Sequence, residues 1–172
     1  MREGPLDMRM DRTQAFTAAD LVNTYSEKEI ADILYMYAEE RRSRPIARSI
    51  VRSRPLHRTS ELVRAIERIT GGPRHGHIHP ATRTFQALRI YINDELKSLE
   101  AFLNSSMNVV RSGGRIVVIT FHSLEDRIVK QKFRTPAVNG RVLTKKVVVG
   151  SDEEVRRNPR ARSAKLRAWE RI

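Results

Sequence analysis

The chain has 172 residues, 40% of them hydrophobic, and a formal net charge of +13 at pH 7. That size and apolar content suit one ordinary folded domain or two small units, and exclude a disordered chain. Cysteine is absent, which excludes a disulfide framework, a cysteine-based zinc site and a thiol nucleophile.

The longest apolar runs, Ile116–Ile119 and Val147–Val149, are far too short to span a bilayer. Met1–Pro5 opens no apolar stretch of the kind a secretory signal needs. A soluble cytoplasmic protein is therefore expected. The charge is uneven. Residues 1–40 hold 4 basic and 9 acidic side chains, a net −5. Residues 41–68 hold 9 arginines against Glu61 and Glu67, a net +7, and residues 156–171 hold 7 basic groups against Glu170, a net +6. Two dense, mostly arginine blocks predict a polyanionic partner, because a guanidinium grips phosphate as a fork and stacks on bases. Nucleic acid is the expected partner; a merely solvated basic surface is the alternative.

In chain order, Gly4–Asp11 has neither helical nor strand period and reads as a loop. Thr17 caps a short helix through Asn23, and Ser26 with Glu29 forms a capping box before Ile30, Ile33, Leu34 and Tyr37. Pro45 suits the first turn of a helix that turns Ile46, Ile50 and Val51 inward. Ser60 is the expected cap of the next, with Leu62, Val63, Ile66 and Ile69 inward and Gly71-Gly72-Pro73 as its stop. Residues 12–72 thus form a run of short helices. From Pro80 a long amphipathic stretch carries Phe85, Leu88, Ile92, Leu96, Leu99 and Leu103, with a bend at Asn93-Asp94. Arg115–Phe121 follows Ser112-Gly113-Gly114 as a strand; its Ile-Val-Val-Ile centre lacks alternation, which predicts a parallel strand covered on both faces. A helix from Ser123 to about Arg134, a β-branched run over Leu143–Val149, a short acidic helix at Asp152–Arg157 and a last strand through Ala164, Leu166 and Ala168 complete the chain. The expected class is α/β, with three strands. Trp169 and the pair Tyr35/Tyr37 are expected in the core.

Five segments carry a family resemblance: Glu3–Asp11 (EGPLDMRMD), Tyr37–Val51 (YAEERRSRPIARSIV), His79–Leu96 (HPATRTFQALRIYINDEL), Gly113–Lys130 (GGRIVVITFHSLEDRIVK) and Asn158–Arg171 (NPRARSAKLRAWER). In this order they resemble the ribosomal RNA small subunit methyltransferase H family, also called MraW. The resemblance implies transfer of a methyl group from S-adenosylmethionine to N4 of a cytidine in the decoding region of 16S rRNA. It implies a Rossmann-like class I methyltransferase core, of which this chain holds the last strands, with an inserted α-helical subdomain. On that reading residues 1–11 continue from an N-terminal half, 12–78 are the helical substrate-facing subdomain, and 79–172 close the core. The family's glycine-rich loop, acidic residue and Asp-Leu-Gly-Val-Ser-Ser stretch precede the GPLDMRMD string, so no cofactor-binding residue is assigned here; they are expected upstream of Met1, encoded in frame. The rival expectation is a non-catalytic basic fragment that binds RNA.

The same resemblance places Asp7, Arg9 and Asp11 beside the cofactor pocket, as substrate-positioning or proton-accepting groups, or as an ion pair closing a loop. His122 and Ser123 end the buried strand at the sheet edge where α/β sites form. Ser123 serves there as a helix cap or a pocket contact, and His122 as a pocket contact or a hydrogen-bonded structural group. Candidates to face 16S rRNA and the small ribosomal subunit are Arg41, Arg42, Arg44, Arg48, Arg52, Arg54 and Arg58, then Arg83, Arg89, Arg160 and Arg162. His75, His77 and His79 alternate in a glycine-rich loop without a nearby carboxylate, so no metal is expected.

Overall fold

The computed structural model describes residues 3–73, 75, 78–135 and 139–172. By packing, the chain divides into two units, Met1–Glu95 and Leu96–Ile172.

The first unit is helical: α1 Ala18–Thr24, α2 Glu27–Ala38, α3 Ser43–Arg52, α4 Thr59–Thr70 and α5 Thr82–Ile92. Thr17 and Ser26 cap α1 and α2 as reciprocal boxes with Asp20 and Glu29, satisfying amides that a helix start leaves open. Ser60 is not a cap; it is the second residue of α4. Glu61 takes that role from inside the helix, its carboxylate accepting the backbone N–H of His57 at 2.7 Å and of Arg58 at 2.9 Å. Gly71, at φ 76°, ends α4. The helices pack through Ile30, Leu34, Ile46, Ile50, Leu62, Ile66 and Leu88, all buried, each contributing about 1.5–3 kcal/mol of apolar burial. Tyr37 is half-buried, edge-on to Tyr91 with ring centroids 5.8 Å apart. Tyr35, by contrast, is 62% exposed and is not a core residue. α5 packs against α2 and belongs to this unit, which ends at Glu95.

The second unit begins after the bend that the sequence predicts. α5 stops at Ile92, Asp94 takes φ 48°, and α6 runs over Glu95–Val109. Then come β1 Arg115–Thr120, α7 Ser123–Phe133, β2 Gly140–Val142, β3 Val148–Val149, α8 Asp152–Arg157, a 3₁₀ turn at Pro159–Ser163 and β4 Lys165–Arg171. β4 is central: β1 pairs with one edge, and β2 and β3 with the other. All three pairings are antiparallel. This corrects the expected parallel strand covered on both faces. β1 lies against β4 in the register Ile116↔Trp169 and Val118↔Arg167. Its inward face packs on α7 and α6, while Val117 and Ile119 on the other face are 56% and 54% exposed. The alternation is structural but invisible in the residue types, because both faces are apolar. The Leu143–Val149 run is not one strand either. The Thr144 hydroxyl accepts the Ala168 N–H at 3.0 Å, displacing the ladder there, and pairing resumes only at Val148.

Leu103, Met107, Ile116, Val129, Phe133 and Trp169 form this unit's core. Trp169 is 1% exposed and stacks on Phe133, with ring centroids 6.4 Å apart. Gly140 on β2 lies flat against it; a Cβ there would sit 1.9 Å from the indole and 2.7 Å from the Glu170 carbonyl. Among the described residues, no helix is long and apolar enough to cross a membrane.

Candidate functional site

The loop that holds Asp7, Arg9 and Asp11 is pinned at both ends. The Leu6 N–H donates to the His57 carbonyl at 2.8 Å, the Thr59 N–H donates to the Gly4 carbonyl at 3.0 Å, and the Ala18 N–H donates to the Asp7 carbonyl at 2.7 Å. The start of α4 and the start of α1 thereby fix the strand-like half of the loop. Met8 occupies the left-handed region at φ 65°, which costs a side-chain-bearing residue about 1–3 kcal/mol. Asn93, at the end of α5, holds it there. Its amide donates to the Met8 carbonyl at 2.9 Å, and its side-chain oxygen accepts the Met10 N–H at 2.7 Å.

Within the loop, Arg9 grips Asp7 as a two-pronged ion pair, 2.6 Å and 2.9 Å, and its remaining arm donates to the Gln14 carbonyl. That guanidinium pulls the Asp7 carboxyl down to about 2 from 3.8. A carboxylate at that level is a weak base near neutral pH, which favours positioning over proton acceptance. Asp11 instead accepts from the hydroxyl and N–H of Thr13, at 2.7 Å and 2.9 Å, and these bonds lower its pKa. Folding lowers the Asp7 pKa, so the pair's contribution is fully present above 3.8 and is lost as pH falls towards about 2. In an NMR titration the Asp7 carboxylate is expected to have its midpoint near 2, returning towards 3.8 in Arg9→Gln. An unchanged midpoint in the variant would remove Arg9 as the cause.

In the second unit His122, not Ser123, is the cap of α7. Its Nδ1 accepts the Glu125 N–H at 3.4 Å, and Glu125 accepts the N–H of Phe121 at 2.9 Å and of His122 at 3.3 Å. His122 Nε2 also lies 3.4 Å from the second Glu125 oxygen. Ser123 is the first helical residue and is exposed. Next to them Asp126 takes Arg167 in a two-pronged pair, 2.6 Å and 3.1 Å, with the arginine only 8% exposed. That guanidinium lowers the Asp126 pKa. Glu170, 8% exposed, accepts from Arg115 at 2.8 Å and from Arg141 at 2.6 Å. Neither cluster follows from the residue pattern of β4: the apolar alternation of Ala164, Leu166 and Ala168 points Arg167 outward, whereas Arg167 to Glu170 are all buried, on both faces of the strand.

The arginine candidates separate by what their side chains do. Arg54 donates to the Val22 carbonyl at 2.7 Å and to the Tyr25 carbonyl. Arg58 pairs with Glu3 at 2.5 Å, Arg89 with Glu95 at 2.7 Å, and Arg48 with Glu27 at 3.2 Å. Arg42 reaches the Ile69 carbonyl at 3.4 Å. Arg41, Arg44, Arg52, Arg83, Arg160 and Arg162 are exposed, and their side chains make no hydrogen bond or ion pair among the described residues. Of the histidine string, His77 lies outside the described residues, His75 is exposed, and His79 faces Glu67 at 3.4 Å.

The model of the MraW methylase family matches residues 1–172. The chain is 57% identical over 169 residues to a ribosomal RNA small subunit methyltransferase H of Synechocystis sp., covering 98% of this chain and 55% of the relative. It is 54% identical over 171 residues to the protein of that name from Acidobacterium capsulatum, covering 98% and 58%, and 56% identical over 168 residues to that of Nostoc punctiforme, covering 97% and 56%. The chain therefore spans little more than half the length of the curated relatives it matches. With sequence agreement running from its first residue to its last, the chain belongs to the MraW methylase family.

Proposed function

We propose that this chain is part of an enzyme that transfers the methyl group of S-adenosylmethionine to N4 of a cytidine in the decoding region of 16S rRNA, acting on the small ribosomal subunit in the cytoplasm. The observation that carries the reading is the family match over residues 1–172, together with the rRNA methyltransferase names of the relatives. The cytosine exocyclic amine is a poor nucleophile because its lone pair is delocalised into the ring. The protein's work is to extrude the base, hold the amine in line and accept a proton.

The described residues do not fit the methyl donor, and no step is assigned through it. A charged cofactor of this kind is received by a glycine-rich turn between a strand and a helix. Here Gly71-Gly72 follow α4 and Gly113-Gly114 precede β1, while the strand-to-helix turn after β1 is Phe121-His122. Gly150 stands alone before α8, whose first turn is acidic. On this reading the cofactor half precedes the loop at 1–11, 12–78 is the substrate-facing insertion and 79–172 the last part of a Rossmann-like core; a chain spanning little more than half of its relatives' length leaves room for such a half. Among the described residues β1 pairs on one edge only, and this edge with its exposed Val117 and Ile119 suits such an extension of the sheet.

Disrupting the gene is expected to abolish N4 methylation of the decoding-region cytidine, read by nuclease digestion and mass spectrometry of 16S rRNA; retained methylation overturns the proposal. The rival, a non-catalytic RNA-binding chain, draws support from the six arginines whose side chains have no partner among the described residues. It predicts methylation unaffected by the disruption, and RNA binding by the purified chain. Calorimetric titration of the chain with S-adenosylmethionine is expected to show no micromolar binding, and such binding would contradict the placement of the cofactor half.

A further inference from the structure

Three arginines from two helices converge on one groove. On α3, Pro45, Arg48, Ser49 and Arg52 fall on successive turns of one face, and α4 brings Arg68 and Ile69 against them; together they line a depression of about 460 Å³. The floor is rigid. The Ser49 hydroxyl, buried, donates to the Ala65 carbonyl at 2.6 Å and so locks α3 to α4. Arg68 spends one donor on the Ser53 hydroxyl, 3.0 Å away. Arg48 has Glu27 at 3.2 Å, and that is the one carboxylate paired with these guanidinia among the described residues. Arg52 has no side-chain partner among the described residues.

Each guanidinium carries five donors, so most of those around the groove are unspent. Arg52 and Arg68 lie in the last turns of α3 and α4, where the helix dipole favours cations without help from carboxylates. Arg48 and Arg52, one turn apart, nonetheless repel each other. An anion between the three would relieve that repulsion and use the spare forks. The groove offers little to read a base. Its hydroxyl is already committed to Ala65, and Pro45 and Ile69 present only apolar walls, suited to a ribose.

We propose that the α3–α4 groove is a phosphodiester site for RNA in which Arg48, Arg52 and Arg68 grip backbone oxygens without regard to sequence. The inference rests on the reading that the chain acts on ribosomal RNA, and it adds Arg68, which the residue pattern had not singled out. It also sets Arg54 and Arg58 aside as structural.

The test is filter binding of two labelled single-stranded RNA oligonucleotides of unrelated sequence, over a range of KCl concentrations. The 172-residue chain is compared with R48Q/R52Q/R68Q and with R111Q/R134Q/K146Q, which removes equal charge from exposed positions of the second unit outside the basic block at 156–171. The groove variant is expected to bind both RNAs at least about tenfold more weakly, with its log–log salt slope smaller by roughly 2. The control variant is expected to lose about threefold or less. Equal losses in the two variants would mean diffuse attraction by net charge and would overturn the groove. So would a groove variant that binds as the parent chain does. If the parent chain binds neither RNA, the rRNA reading itself fails, a result distinct from the other two. Should circular dichroism show the triple variant unfolded, Arg52→Gln alone serves, since no partner is lost. It is expected to reduce the salt slope by about 0.7, and an unchanged slope overturns the proposal.

Discussion

Trp169→Ala is expected to lower the stability of the second unit by about 3–5 kcal/mol, the usual result of truncating a fully buried large aromatic. The indole is the largest of the fully buried side chains and belongs to the strand that every other strand pairs with. Removing it takes away the stacking partner of Phe133, the cross-strand neighbour of Ile116 and the surface on which Gly140 lies. The opposite perturbation tests the same packing. Gly140→Ala pushes a methyl group into the indole, and overpacking of this kind costs about 1–3 kcal/mol. Denaturant unfolding followed by circular dichroism measures both. A loss below about 1 kcal/mol in Trp169→Ala would mean that the sheet does not depend on this residue, contrary to its burial.

Asp126→Ala is the second large effect, expected at about 3–5 kcal/mol, because it leaves the Arg167 guanidinium buried without its counter-charge. Replacing both partners by apolar residues of similar volume is expected to recover most of that loss, since an intact buried pair contributes little beyond offsetting its own desolvation. The pH dependence follows from the direction of the shift. Arg167 holds the Asp126 carboxyl below 3.8, so the contribution is complete above that value and disappears as acid protonates the folded-state carboxylate. Lys165, 4.0 Å away, adds to the same field. Urea unfolding at a series of pH values should show an acid-side decline in the parent chain that flattens in Asp126→Asn. Parallel declines in the two would remove Asp126 from the account.

The helical unit was legible in the sequence wherever a serine or threonine did the capping, as at Thr17 and Ser26. It was misread at α4, and α7 was misread in the same way. Both helices start with a glutamate at the third position reaching back to two open amides, Glu61 in one and Glu125 in the other. Ser60 and Ser123 are of the residue type that ordinarily caps a helix, yet both stand inside the first turn. In the sheet, β1 and β4 were legible as strands, β2 at Gly140–Val142 was not, and of the Leu143–Val149 run only Val148–Val149 is paired as a strand. Ile116–Ile119 is apolar on both faces, so its residue types cannot say which face is covered, and pairing with a strand some fifty residues later, Arg115 against Glu170, is a long-range choice. The candidate loop at Asp7–Asp11 was recognised through its string rather than its chemistry. What pins it, Asn93, lies far along the chain and carries no local signal.

The tyrosines and the tryptophan divide as sharply as the packing does. Tyr25, Tyr35, Tyr37 and Tyr91, all the tyrosines of the chain, lie in the first unit, and the single tryptophan lies in the second. Three of the tyrosines form a cluster, with the Tyr25 and Tyr91 hydroxyls 3.0 Å apart, a bond that pushes the Tyr25 phenol up to about 12. The molecule therefore carries a separate intrinsic optical reporter in each half. Selective tryptophan excitation follows the melting of the sheet, and tyrosinate absorbance in alkali follows the opening of the helices. Coincident transitions in the two signals would identify one cooperative folding unit, and separated transitions would identify two.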